Sequence, residues 1–250
     1  YTTLFRSDAA DIREMSPQIC TRYDLIMLGA PVNHFDAPPL IMAWIQKMPP
    51  LEGRPVAVFV THGMPPGNQH NTACTLLEAL AAKRGIPVGL GTFAHMGTYP
   101  PAWAFYPEKT LANASYPNGR TFQKARDLAD AVLSRARSGH PVSFSKEFTL
   151  DDAKKYILAP WLSRLVTNAH FIDLTRCIHC GTCGVKCPTG AIDHQKGTVD
   201  KGLCIDCMGC INNCPAQAVQ ITYLGKELIG YFDFLRIHHI VVPTPRELEA

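Results

Sequence analysis

Ten cysteines occur in the 250 residues, and eight of them fall between Cys177 and Cys214. They form two runs of one design. The first is Cys177-Ile178-His179-Cys180-Gly181-Thr182-Cys183-Gly184-Val185-Lys186-Cys187-Pro188, and the second is Cys204-Ile205-Asp206-Cys207-Met208-Gly209-Cys210-Ile211-Asn212-Asn213-Cys214-Pro215. Each reads C-x2-C-x2-C-x3-C-P, and every cysteine of the second run lies 27 residues after its counterpart. The match extends into the flanks, where Ala191-Ile192 answers Ala218-Val219. This is an internal repeat rather than a chance cluster. A chain of this length can bury a core without covalent staples, so the cysteines are not a disulfide scaffold. Eight thiols packed so closely call for metal.

The spacing has a physical reading. Three cysteines, each two residues from the next, let a tight loop wrap three corners of an iron–sulfur cube with backbone N–H groups turned toward its sulfurs. The fourth lies past a short helical turn and points away, so in two-cluster bacterial ferredoxins it ligates the other cluster. That assigns Cys177, Cys180, Cys183 and Cys214 to cluster one, and Cys204, Cys207, Cys210 and Cys187 to cluster two. Pro188 and Pro215 suit a chain that turns sharply after a ligand and has no N–H to satisfy there. The competing metal is zinc, which also uses C-x2-C pairs. A zinc knuckle needs only two cysteines per pair, whereas here a third always follows, and then Cys-Pro. Roughly 45 residues cannot supply a core of their own, so this region is expected to unfold without its metal.

Composition removes other classes. A formal charge of +3, from 24 Lys+Arg against 21 Asp+Glu, is not that of a nucleic-acid binder. An oxidised 4Fe-4S core with four thiolates carries a formal charge of about −2, so two of them take the chain to about −1. No apolar run approaches the roughly 20 residues of a membrane span, and no signal-peptide pattern precedes the first strand. The sequence begins at Tyr1, which reads as a fragment or a processed form.

Ahead of the cysteines the pattern is strand, helix, strand, helix, strand. Tyr23–Gly29 and Pro55–Val60 are apolar runs expected to be buried on both faces, and Ile86–Phe93 is a glycine-rich third strand. Pro38–Lys47 and Thr72–Arg84 have helical apolar stripes. That alternation predicts right-handed crossovers and a parallel sheet. Residues 97–119, rich in proline and aromatics, are expected to form an ordered loop. Phe122–Arg137 is a further helix. The domain boundary is placed at 139–150, and a helix kinked at Pro160 is expected over Asp151–His170.

These residues carry a resemblance. Positions 171–222 resemble a bacterial-type ferredoxin module with two 4Fe-4S clusters, without departure from its cysteine pattern. Residues 1–139 look like most of a flavodoxin-like domain. Together the chain is similar to the flavodoxin–ferredoxin fusion family of anaerobic bacteria and archaea. The resemblance implies FMN in the first half, exchanging electrons with the clusters. The loops matching its binding positions are Ala30-Pro31-Val32-Asn33-His34, Thr61-His62-Gly63, and the stretch around His95, with Tyr99 beyond it. One departure stands out: the opening strand and phosphate loop of flavodoxins are missing, and the sequence starts at what looks like the second strand, Thr2–Ile12. A longer natural chain, a partner that completes the sheet, or conversion to a docking domain would each account for it; the first is the expectation carried here.

The remaining signals are weaker. His34, His62 and His95 fall just beyond three strands on one sheet edge, where they suit a ligand or a metal as well as an ordinary polar loop. Cys20 and Cys74 read as buried free thiols. Tyr99, Trp103, Phe105 and Tyr106 suit either stacking on a flavin or a small loop core. The apolar stretch 223–250 is expected to pack on the first domain or a partner chain. The expectation is therefore an α/β protein: an incomplete flavodoxin-like domain at 1–139, a linker and helix at 140–170, a two-cluster ferredoxin domain at 171–222, and a docking tail. It would act in the cytoplasm as a low-potential electron carrier with a redox partner protein, as a homo-oligomer or part of a larger redox complex. The alternatives are a flavin-dependent oxidoreductase fed by the clusters, and a flavin-free adaptor.

Overall fold

The computed structural model describes residues 7–63, 68–148 and 160–242. Three strands, β1 (Ile26–Pro31), β2 (Pro55–His62) and β3 (Ile86–Ala94), form a parallel sheet in the order β1-β2-β3. The register pairs Ile26 with Val56 and Val58 with Leu90. Two crossover helices, α1 (Pro39–Gln46) and α2 (Gln69–Ala82), connect them. Ile41 and Ile45 from α1 and Leu76, Leu77 and Leu80 from α2 meet Val56, Val58 and Val60 in one core. Burying a side chain of this kind contributes roughly 1.5–3 kcal/mol each.

The other face takes α5 (Gly119–Ser138), after two short helices, α3 (Pro100–Phe105) and α4 (Pro107–Leu111). Asn118 accepts from the Thr121 amide at 3.2 Å and the Thr121 hydroxyl accepts from the Asn118 amide at 3.2 Å, a capping box that starts α5 three residues before the expected Phe122. Gly139, at φ 70, ends it. The glycines of β3 are explained by this helix: a Cβ on Gly89 would lie 2.4 Å from Val132 Cγ2, so only glycine lets α5 lie this close.

Several expectations are corrected. β1 is not buried on both faces: burial alternates along it and Met27 is 39% exposed, because α5 lies against β3 instead. Residues 97–119 are not a loop throughout; proline at the first positions of α3 and α4 starts two helices. The strand expected over Thr2–Ile12 is absent from residues 7–12, and its first part lies outside the described residues. Of the helix expected over Asp151–His170, residues 151–159 lie outside the described residues; α6 (Pro160–Val166) is helical, and at Thr167 the chain passes instead into β4 (Thr167–Ile172), which pairs with a later strand.

The cysteine region follows with α7 (Thr182–Lys186), β5 (Ile192–Asp193), β6 (Thr198–Val199), α8 (Gly209–Asn212), β7 (Val219–Tyr223), β8 (Lys226–Glu227) and α9 (Tyr231–Ile237). β4, β7 and β8 form one antiparallel sheet, and β5 and β6 another. The sequence repeat is a structural one. Ile172 pairs with Val219 and Ile192 with Val199, so each half closes on the other. Left-handed backbone recurs at the same offset of 27 residues: His179 with Asp206, Gly181 with Met208, Gly190 with Gln217, Gly197 with Leu224.

This region does not stand alone. Its core, from Ile172, Met208, Ile211, Ala218, Val219, Ile221 and Leu228, is joined by Tyr99 and Ala104 from the first half. Trp103 stacks on Phe234 of α9 at 4.9 Å, and its Nε1 donates to the Ile229 carbonyl at 3.2 Å. Asn212 Nδ2 donates to the Thr98 carbonyl at 2.6 Å. Among the described residues, no helix is long and apolar enough to cross a membrane.

Candidate metal centre

Each cysteine run wraps through the same turns. A left-handed residue after the first cysteine folds its amide back on the sulfur: His179 N–H donates to Cys177 Sγ at 3.4 Å, and Asp206 N–H to Cys204 Sγ at 3.5 Å. The fourth cysteine of each run is held likewise, by Ala191 N–H on Cys187 Sγ and Ala218 N–H on Cys214 Sγ, both at 3.2 Å. Backbone donors aimed at sulfur favour thiolate over thiol.

Four of the thiols share one cavity. Cys187, Cys204, Cys207 and Cys210 line one cavity together with His170, Ile192, Ile205 and Met208. Burial first, then the neighbouring Cys207, Cys204 and Cys187, push the Cys210 thiol up. Burial first, then Cys214 and Cys177, push the Cys183 thiol up. Fourth cysteines therefore neighbour the opposite run. Burial pushes Cys204 up to about 11. At neutral pH such thiols give up their protons only to a metal. Cys180 differs: it is exposed, and hydrogen bonds from Thr182 lower it.

The spacing of the sulfurs bears on which metal fits. A tetrahedral zinc with sulfur ligands at about 2.3 Å needs its sulfurs about 3.8 Å apart. Among the described residues, the only group of three or more His, Cys, Asp or Glu ligand atoms lying within 4.8 Å of one another is that of His170, Cys204 and Asp206. No three of the eight thiols come that close. A four-iron cube holds its thiolates farther apart, and the cavity lined by Cys187, Cys204, Cys207 and Cys210 offers it four sulfurs.

Three side chains escaped the sequence reading. His170 Nε2 lies 3.2 Å from Cys210 Sγ. Asp206, 2% exposed, accepts from the Thr167 hydroxyl at 3.2 Å. Arg164 Nη1 donates to the carbonyls of Lys201, Gly202 and Cys204 at 3.1–3.4 Å. Asp206 was legible as the residue where the repeat substitutes an acid for His179; His170 and Arg164 precede the runs and carry no such mark.

The sheet-edge residues meet one another. β1 ends at Ala30 and Pro31, and Val32 N–H donates to the Thr61 carbonyl at 2.9 Å. Asn33 and Asp36 bridge a tight turn that puts His34 at φ 46. His95 N–H donates to the His62 carbonyl at 2.9 Å, and its Nδ1 donates to the Met96 carbonyl. Gly63 touches Gly97 so closely that a Cβ on it would lie 2.3 Å from Gly97 Cα. His34 meets the Tyr99 ring edge-on at 5.9 Å, and the Tyr99 hydroxyl lies 3.3 Å from the Ser163 hydroxyl of α6. His34, His62 and His95, which suited a ligand or a metal as well as an ordinary polar loop, do not gather as a metal-binding group among the described residues. Cys20 and Cys74 are buried free thiols; Cys74 Sγ lies 3.5 Å from His70 Nε2 and donates to the Ser145 carbonyl at 3.6 Å.

A family model described as a 4Fe-4S binding domain matches residues 170–193. An isethionate sulfite-lyase activating enzyme of Desulfovibrio desulfuricans is 40% identical over 70 residues, 26% of this chain and 20% of the relative. The pyruvate synthase subunit PorD of Methanothermobacter marburgensis is 35% identical over 51 residues, 20% of this chain and 62% of the relative. That of Methanocaldococcus jannaschii is 33% identical over 51 residues, 19% and 59%. The chain thus spans between a fifth and about three fifths of these relatives. No solved structure matches. These findings support 4Fe-4S binding and iron–sulfur electron transfer. They do not bear out the flavodoxin relationship; the first half is a three-stranded parallel sheet with helices.

Proposed function

We propose that this chain is a one-electron carrier holding two 4Fe-4S clusters, ligated by Cys177, Cys180, Cys183 and Cys214 and by Cys204, Cys207, Cys210 and Cys187. The observation that carries this is the crossed repeat, in which Cys187 lines a cavity with Cys204, Cys207 and Cys210, and Ala218, whose amide holds Cys214, is bonded by the Asp173 amide just ahead of the first run. Once bound, each cluster takes and returns one electron without rearranging bonds. The chain's part is to hold the sulfurs, donate backbone N–H groups to them, and keep water from the apolar walls made by Ile192, Ile205 and Met208. The similarity to PorD supports a place as one subunit of a larger redox complex, with a protein as electron donor or acceptor. A reducing, cytoplasmic setting suits thiols kept for metal.

The residues assigned to FMN do not fit it. A flavin ring needs an open cleft between the loops at the strand ends. Here Gly63 meets Gly97 backbone to backbone, Asn113 Nδ2 donates to the Gly63 carbonyl at 3.2 Å, and Tyr99 is pinned between His34 and Ser163. In this reading the first half is a scaffold on which the cluster domain docks, and no electron step passes through a flavin.

Anaerobic purification with iron, sulfide and flavin counted per chain tests both points. About eight irons with no flavin is expected. About four irons overturns the two-cluster reading, and flavin bound one to one overturns the closed edge.

A further inference from the structure

The two runs repeat in backbone but not in surroundings. Arg164 grips the carbonyls of Lys201, Gly202 and Cys204, just ahead of and at the first cysteine of the second run. Their counterparts are Leu174, Thr175 and Cys177, and among the described residues no side chain donates to those carbonyls. His170 Nε2 reaches Cys210 Sγ at 3.2 Å, whereas no described side chain makes a hydrogen bond to its counterpart Cys183. Asp206 is 2% exposed beside Cys204, where the first run has an exposed His179. All three differences fall on one side of the repeat.

We propose that Arg164, His170 and Asp206 set the potential of the second cluster apart from that of the first, so that the pair is a graded relay rather than two equal stores. The proposal rests on the two-cluster reading. A guanidinium stays charged at every working pH and is bound here through backbone carbonyls that fix its position. Positive charge beside a site that becomes more negative on reduction favours the reduced form, and an N–H donated to a ligand sulfur acts in the same direction. The Asp206 carboxylate acts in the opposite direction. Because the surroundings are partly dry, each charge counts for more than it would in water. The first cluster, cornered by the exposed Cys180, lacks all three partners. Each site takes one electron from a low-potential one-electron donor and passes it on, with no bond or proton changing hands.

The test is a redox titration of the full chain with dithionite, followed by electron paramagnetic resonance, with iron counted in every variant. The midpoint that disappears in Cys207→Ala marks the second cluster. Arg164→Gln is expected to lower that midpoint by about a tenfold change in its reduction equilibrium, about 59 mV for one electron. Arg164→Lys, which keeps the charge, should restore most of it. His170→Phe should lower the same midpoint and Asp206→Asn should raise it, so the proposal stays testable if Arg164→Gln fails to fold. Eight irons with neither midpoint moved, or both moved together, overturns the proposal alone. A wild-type count near four overturns the two-cluster reading together with it.

Discussion

The Asp173 amide donates to the Ala218 carbonyl at 2.8 Å, and at the repeat offset the Asp200 amide donates to the Ala191 carbonyl at 2.8 Å. Ala218 and Ala191 are also the residues whose own amides hold Cys214 and Cys187. One pair of strand contacts therefore carries the fourth cysteine of each run across to the other run.

That crossing predicts an exchange of phenotypes. Cys187→Ala should strip the site formed by Cys204, Cys207 and Cys210 and leave the other loaded, whereas Cys214→Ala should do the reverse. Each variant should keep about half of the iron. Spectroscopy that follows each site separately decides it. Loss at the variant's own run would sink the pairing.

Trp103 joins the two halves. It is 4% exposed, stacks on Phe234 at 4.9 Å and donates to Ile229. Trp103→Ala should cost about 3–5 kcal/mol, the range for a large aromatic removed from a core. Denaturant unfolding would show it as a lowered midpoint. A change of less than about 1 kcal/mol would mean that the halves do not depend on this contact.

How far the sequence reached follows from the range of each interaction. The cysteine repeat was legible because each ligand loop is fixed by residues within a few positions, and even its left-handed turns recur at the offset. The parallel strands were legible because Val56, Val58 and Val60 are apolar whatever covers them. What covers each face was not: nothing in Met27 announces that α5 lies over β3 and leaves β1 half bare. Thr167–His170 looked helical beside the apolar residues of α6, and pairing with β7, some fifty residues on, overrode that local preference. Arg164 reaches the Cys204 carbonyl and His170 the Cys210 sulfur, each 40 residues on, and no motif reaches that far.

The closed sheet edge gives a direct packing prediction. A Cβ on Gly63 would lie 2.3 Å from Gly97 Cα and 2.9 Å from its nitrogen, both backbone atoms that cannot rotate away. Gly63→Ala should therefore destabilise the chain by about 1–3 kcal/mol. Chemical denaturation with an unchanged slope would report it. If alanine is tolerated without loss, the two loops stand apart in solution and the edge is open to a ligand.

His95 predicts an acid-sensitive first half. Burial lowers its pKa below the ordinary 6.5, against the opposing effect of its bond to the Met96 carbonyl. Between that lowered value and 6.5 the unfolded chain binds the proton and the folded chain does not. Stability then rises with pH across this window, because the unfolded state carries more protons there. It is fully present above about 6.5 and is lost as the pH falls toward the folded value. Unfolding midpoints measured from pH 7.5 down to 5 should decline in the wild-type chain, and His95→Gln should flatten part of that decline by removing the group that titrates. An identical pH slope in both chains would show that His95 is solvated and that the strand-end loops do not close over it.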